Sequence, residues 1–274
     1  ARSGATDQRT PVAFEHSKAA WAFSLTDTQL WNWWLVNRDK PVDWTVFVKP
    51  DEVAAFRLIV NSDTATYLKM SYISYLLEDS LVDSDLWAFM SSRKKMDFMV
   101  TAQDLLSRGH YGLAIDGKGW DESMTKNIVL GVSDLIISKI IFPDQDAALG
   151  SLVTQLDQAT IITPVGERFP IKNGLASGLR WTTLINSVVN MALQHYLQDN
   201  LGVTFPLTST LGDDVISITK DEVDLQQCAM LYDSVGFKLN INKSLVSRGS
   251  GEFLKQLILP GRISGVPLRA LRPV

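Results

Sequence analysis

The sequence predicts an α+β fold built on an antiparallel sheet, and three observations carry that expectation. Tyr111 to Ile115 is a short apolar run ending at Asp116, and beyond Asp121 the residues Ile128, Val129, Val132, Leu135 and Ile136 fall at helical spacing. Phe205 to Leu211 and Val215 to Thr219 are two β-prone runs around Gly212-Asp213-Asp214, the pattern of a hairpin with acids at its tip. Asp221 to Val235 has helical spacing and stops at Gly236, after which Phe237 to Ile241 is β-prone again.

The remaining elements follow in chain order. Five of the eight tryptophans, Trp21, Trp31, Trp33, Trp34 and Trp44, lie in the first 50 residues, where packing is a commoner use of such rings than base stacking. Between Pro164 and Pro170, the stretch Val165-Gly166-Glu167-Arg168-Phe169 reads as a turn joining two short strands. Gly174, Ser177 and Gly178 then form a loop ahead of an apolar-rich helix from Trp181 to Leu197. The resulting order, β-α-β-β-α-β, is that of a split, ferredoxin-like sheet.

Composition narrows the chemistry. With 274 residues, 46% of them hydrophobic and 20% charged, the chain can bury one large core with subdomains. A single cysteine, Cys228, excludes an internal disulfide and a thiolate-rich zinc site, and three histidines leave little for a His-rich one, so a metal here must sit on carboxylates. The formal charge of −4 argues against a wholly basic nucleic-acid coat but allows a locally positive channel around an acidic site. Apolar runs such as Ile136 to Phe142 fall short of the roughly 20 residues that cross a bilayer, and no secretory segment opens the chain, so the expectation is a soluble, unsecreted protein without a membrane segment.

Nucleotidyl transfer needs positive charge at both the attacking and the leaving oxygen, which a pair of carboxylate-held divalent ions supplies. Asp116 at a strand end and Asp213 with Asp214 at a hairpin tip can be brought together by neighbouring strands, with all three carboxylates facing one point as a hard-oxygen site suited to Mg²⁺. Gly-Asp-Asp alone is equally an ordinary turn. Its company gives it weight: Asp116 and Asp121 with four residues between them, then Ser177-Gly178 with Thr182 and Asn186, then Gly212-Asp213-Asp214, in that order.

These motifs resemble those of the viral RNA-dependent RNA polymerases, and the likeness extends upstream to Lys49 with Arg57-Leu58-Ile59 and downstream to Lys243 and Phe253-Leu254-Lys255. The segment Ser177 to Asn190 is most similar to totivirus-like double-stranded RNA virus polymerases, as, more loosely, is Gly265 to Ala270; Leu211 stands where the family commonly has Tyr. The resemblance implies a right-hand polymerase fold: an antiparallel, ferredoxin-like or RRM-like palm sheet with helices behind it and a fingers subdomain, the thumb being largely absent. It implies fingers over 1–100, a palm over 101–255 with a fingers insertion at about 140–172, and the start of a truncated thumb over 256–274.

By the same resemblance, Asp116, Asp213 and Asp214 are the metal ligands, for Mg²⁺ or Mn²⁺, and Lys243 is the general acid toward pyrophosphate, with Lys238 as its competitor. Lys49 and Arg57 contact the triphosphate, with Lys40 or Lys69 as alternatives; Asp121 and Asn186 read the ribose, and Ser177 and Thr182 support them. Gly178, Arg180 and Lys255 meet RNA, and Arg262, Arg269 and Arg272 extend the basic C-terminal stretch. The implied function is template-directed ribonucleotide addition in viral genome replication and transcription. The expected partners are template and nascent RNA, ribonucleoside triphosphates and a viral capsid protein, in the host cytoplasm or within the virion. Two other readings stay open: a reverse transcriptase, against which Asp121 and Asn186 argue, and a non-catalytic RNA-binding module that keeps the shape.

Overall fold

The computed structural model describes residues 18–40, 42–49, 57–140 and 151–265, with the side chains of 47–49, 57 and 58 left out. The chain divides into two compact units, one of residues 1–77 with 124–182 and one of residues 78–123 with 183–274.

In the second unit the expected sheet forms from β3 (Tyr111–Ile115), β6 (Leu207–Leu211), β7 (Asp214–Thr219) and β8 (Leu245–Arg248), in the order β6-β7-β3-β8 and antiparallel throughout. Pairing of Ile115 with Val215 and of Leu211 with Asp214 sets the register that controls everything at the site. One face of β7 presents Ile216 and Ile218 to helix α4 (Ser92–Ser107), where they join Phe98, Ala102, Leu106 and Phe253 in a buried cluster. The opposite face meets helix α8 (Thr182–Leu201): Ser217 Oγ donates to Gln194 Oε1 at 3.0 Å, and Gln194 Nε2 donates to Tyr232 Oη on helix α9 (Leu225–Ser234) at 3.0 Å. Helices thus cover both faces of the sheet.

A second, three-stranded sheet of β9 (Gly251–Phe253), β10 (Gln256–Leu259) and β11 (Arg262–Gly265) lies against the first. A Cβ on Gly112 would stand 2.3 Å from the Ser250 carbonyl oxygen and 2.8 Å from Gly251 Cα, so β9 crosses β3 where no side chain fits. Leu254 and Lys255 close the β9–β10 hairpin with φ of 51° and 61°. Two successive positive φ values make a type I′ turn, normally built from Asn and Gly.

Two expectations need correction here. Phe237 to Ile241 is not a strand: Leu239 makes one isolated bridge to Gly117, and the strand beside β3 comes later, at Leu245–Arg248. The helix expected from Asp221 begins at Leu225, because the Asp224 side chain accepts from Gln226 N and starts the helix there. Residues 256–265, expected to open a thumb, form β10 and β11, while 266–274, with Pro267, Arg269 and Arg272, lie outside the described residues.

In the first unit, α1 (Lys18–Phe23), α2 (Asp27–Asn37), α3 (Thr64–Leu81), α6 (Lys126–Ser138) and α7 (Leu152–Asp157) accompany a sheet in the order β2-β1-β4-β5, with β1 at Asp43–Lys49, β2 at Arg57–Asn61, β4 at Thr160–Ile162 and β5 at Arg168–Pro170. The Pro164–Pro170 turn closes the β4–β5 hairpin as expected. Trp21 and Trp44 are buried and Trp33 packs edge-on against Trp21 at 4.7 Å, although Trp31 is exposed. No helix among the described residues is long and apolar enough to cross a membrane.

Candidate active site

The acids of the second unit converge through strand register. Ile115 pairs with Val215, so Asp116, one residue on, stands across from Asp214, one residue back; directly opposed side chains share a face about 5 Å apart at Cβ. Asp213 is the residue between, in the turn that Gly212 makes possible with φ of 65°. Asp213 and Asp214 are exposed and Asp116 is half-buried. The Asp214 carboxyl is held above its ordinary range, first by partial loss of hydration and then by the negative charges of Asp213 and Asp116; Lys255 opposes this rise and Glu252 adds to it.

This geometry bears on a metal. Among the described residues, no three acidic, His or Cys side chains are gathered tightly enough to hold an ion by themselves, so the three carboxylates do not form a closed cage. Mg²⁺ does not require one, since it is commonly held by one or two carboxylates and completes its octahedron with waters and substrate phosphates. Hard oxygen donors whose mutual repulsion already lifts Asp214 fit a divalent cation.

The backbone around Asp116 is clasped from below. Its N–H donates to Ser244 Oγ at 3.0 Å, its carbonyl accepts from Asn240 N at 2.8 Å, and Ser244 Oγ donates to the Asn240 carbonyl at 2.9 Å. Lys243 lies in that five-residue clasp with an exposed side chain, and Lys238, also exposed, makes the neighbouring rung, its carbonyl accepting from Lys118 N at 2.8 Å. Beyond Asp116 the chain turns over the Trp120 ring, which packs on Phe237 at 5.0 Å and would lie 2.4 Å from any Cβ at Gly117. That turn leads into the short helix α5 (Trp120–Ser123) and delivers Asp121, whose Oδ1 accepts from Asn186 Nδ2 of α8 at 3.0 Å. Asn186 is buried and its Oδ1 has no hydrogen-bond partner. An orphaned buried carbonyl oxygen is costly, and it marks a place where a donor belongs.

The other expected residues belong to the first unit. Lys49 and Arg57 pair directly across the antiparallel β1–β2 ladder, while their side chains lie outside the described residues. The alternative Lys69 is buried, its Nζ donating to the Arg38 carbonyl at 2.7 Å and Gln155 Oε1 at 2.6 Å and lying over the Trp34 ring, which is a structural post. The other alternative, Lys40, donates to Asn37 Oδ1. Gly178 N donates to the Val60 carbonyl at 2.9 Å, and a Cβ there would approach that oxygen to 2.4 Å, so β2 itself demands the glycine. The Thr182 hydroxyl bonds the carbonyls of Ala176 and Leu179, closing the loop that carries half-buried Ser177 and exposed Arg180.

Sequence reasoning missed Ser187 and Asn190, which bind the acidic turn, and the Asn240–Ser244 clasp. Polar residues inside a helix as apolar as 181–197 were the available signal, because buried polar groups need partners.

The chain resembles several known proteins. It is 21% identical over 232 residues to the probable RNA-directed RNA polymerase of Giardia lamblia virus, covering 80% of this chain but 12% of that protein. It is 25% identical over 160 residues to a polyprotein of Eastern equine encephalitis virus, covering 57% of this chain and 6% of the polyprotein. The chain therefore spans a small part of these relatives. The totivirus-like cast of Ser177 to Asn190 fits the Giardia virus match. Among solved structures, the RNA-dependent RNA polymerase of a human picorbirnavirus superposes with a TM-score of 0.65 at 16% identity, over 79% of this chain and 43% of that one, and its insertion-loop deletion mutant does so over 79% and 44%. That likeness supports a right-hand polymerase fold of mixed helix and antiparallel sheet. The sequence pattern of the family described as viral RNA-dependent RNA polymerase matches residues 88–265, well over half of the chain, and on that match the chain belongs to the viral RNA-dependent RNA polymerase family.

Proposed function

We propose that the protein adds ribonucleotides to a growing RNA strand under the direction of an RNA template, in viral genome replication and transcription. The observation that carries this reading is Asn186: held by Asp121, it keeps a buried carbonyl oxygen unpaired on the helix that also binds the acidic turn. A ribose hydroxyl both donates and accepts, so it can satisfy that oxygen where a deoxyribose carbon cannot. Reverse transcriptases instead gain from excluding that hydroxyl, and an unpaired acceptor is a poor means of exclusion.

On this reading Asp116, Asp213 and Asp214 hold Mg²⁺ or Mn²⁺, and bound ions would supply positive charge at the attacking and leaving oxygens. Lys243, on the clasp of Asp116, donates the proton that the departing pyrophosphate needs. Lys255 places a positive charge beside Asp214, suited to the RNA backbone. Lys49 and Arg57 are assigned to the triphosphate on their charge and their cross-strand pairing, and Arg180 to RNA on its exposure. The fingers, palm and thumb boundaries, the capsid partner and the cytoplasmic or virion setting belong to the same proposal.

Primer extension by the intact protein on an RNA template with Mg²⁺ tests it. Wild-type protein should prefer ribonucleotides, and Asn186→Ala should lower the ribo-to-deoxy ratio by about tenfold, the worth of one well-placed hydrogen bond. Preference of the wild type for deoxynucleotides would reverse the reading.

A further inference from the structure

Helix α8 carries two buried polar side chains to which the reading above gives no role. Asn190 is fully buried, and its Nδ2 donates to the carbonyls of both Gly212 and Asp213, at 3.3 and 3.0 Å. Ser187, also fully buried, accepts from Gly212 N–H at 2.8 Å while its own hydroxyl donates to the Thr183 carbonyl at 2.7 Å. The Ser187 carbonyl in turn accepts from Thr210 Oγ1 at 3.1 Å, just before the turn. Backbone carbonyls can only accept, so the amide group of Asn190 must face them and its Oδ1 must point away, where it has no partner.

Little side-chain packing holds this turn, although Gly212 itself is buried. A Cβ at Gly212 would meet nothing within 4 Å, and Asp213 and Asp214 are exposed. What fixes the peptide units that carry the acids is the set of bonds from α8, one helical turn beyond Asn186. A leucine at 190 would remove the orphaned Oδ1 but would leave the Gly212 and Asp213 carbonyls without their donor, so the asparagine is explained by the bonds it makes to the turn rather than by packing.

We infer that Asn190, assisted by Ser187, is a positioning residue that holds the Gly212-Asp213 backbone so that its carboxylates meet a divalent cation in the right place. This rests on the polymerase reading, in which those acids bind metal. Groups that orient metal ligands from behind change affinity by about 10–100-fold when removed, and the weaker, backbone-mediated hold here points to the lower end.

The test is Mn²⁺ binding to the intact protein, followed by the electron paramagnetic resonance signal of the free ion, for wild type, Asp213→Asn, Asn190→Leu and Ser187→Ala. Asp213→Asn should abolish the tightest binding. Asn190→Leu should weaken it about tenfold and Ser187→Ala less, both measured well below the variants' thermal midpoints. In primer extension, the half-saturating Mg²⁺ concentration of Asn190→Leu should rise by a similar factor while KM for nucleotide at saturating metal stays within about twofold. If Asp213→Asn binds Mn²⁺ as the wild type does, the metal reading fails and this inference with it. If Asp213→Asn loses binding but Asn190→Leu and Ser187→Ala keep wild-type affinity, the inference alone is overturned. Should Asn190→Leu fail to fold, Ser187→Ala decides by the same measure.

Discussion

Two loops carry the strongest motifs of this chain, and they are fastened in opposite ways. The Gly212-Asp213-Asp214 turn of the second unit has open space around its glycine and hangs on side-chain hydrogen bonds from α8. The Ser177-Gly178 loop of the first unit is set down on the β2 backbone, with its glycine in hydrogen-bonded contact that leaves no room for a Cβ. Bonds of the first kind fix direction at a solvent-exposed tip, and backbone contact of the second kind fixes distance. A turn that must present charge needs the former, and a loop that must only stay in place can use the latter.

The largest effect expected on this comparison is at the acids. Asp213→Asn in the intact protein should lower elongation by about a thousandfold, since loss of several kcal/mol of charge stabilisation converts to that factor, while the thermal midpoint hardly moves. A midpoint that falls with activity would make the turn a structural element and erase the contrast. Gly178→Ala should behave inversely. Forcing a Cβ against the Val60 carbonyl costs about 1–3 kcal/mol, a fall of about 5 °C in melting temperature, and ribo-to-deoxy selectivity in whatever protein remains folded should be unchanged.

A third way to sharpen it uses the β9–β10 hairpin, whose tip, like the acidic turn, presents a charged side chain. Leu254 and Lys255 both sit at positive φ, where Asn-Gly is the easy choice. Because Leu254 packs on the core cluster, the change belongs at the exposed position: Lys255→Gly should raise stability by about 1 kcal/mol and weaken RNA binding in a salt titration, with a shallower slope by about one charge. Unchanged RNA affinity would leave the strain without a purpose.

The smallest effect is a pH dependence. Because the Asp214 pKa is raised on folding, its ionisation opposes the folded state: its stabilising share is complete below the ordinary value of 3.8 and is lost as pH rises through the raised value. In metal-free buffer, Asp214→Asn should therefore raise the melting temperature slightly at pH 7 and have no effect near pH 3, and Mg²⁺ should abolish the gain at pH 7. A gain that instead grew toward low pH would contradict the charge crowding assigned to this residue.

Much of this was readable from residues alone, for identifiable reasons. β3, the β6–β7 hairpin and α8 announce themselves because apolar period and turn chemistry agree over Tyr111–Ile115, Leu207–Thr219 and Trp181–Leu197. The strand expected at Phe237–Ile241 is reduced to one bridge, its bonds going from Asn240 to the Asp116 carbonyl and from the Lys238 carbonyl to Lys118, and Leu245–Arg248 takes the edge of the sheet instead. Asp121 and Asn186 could be paired from motif order. For Ser187 and Asn190 the sequence shows polar groups in an apolar helix but not their partners, which are main-chain atoms of Gly212 and Asp213, a donor for Ser187 and acceptors for Asn190.

Facing glycines at 112 and 251 have a consequence for how such a protein can change over time. Where β9 crosses β3, Gly112 is closed by backbone to any larger residue unless the small sheet lifts away, while a Cβ at Gly251 would press on the tip of Ile216 at 2.9 Å. Lifting the sheet would carry the hairpin bearing Lys255 off the strand that leads to Asp116. Drift can therefore rewrite most of the surrounding surface, but at this crossing it meets a lock that opens only if two strands move together.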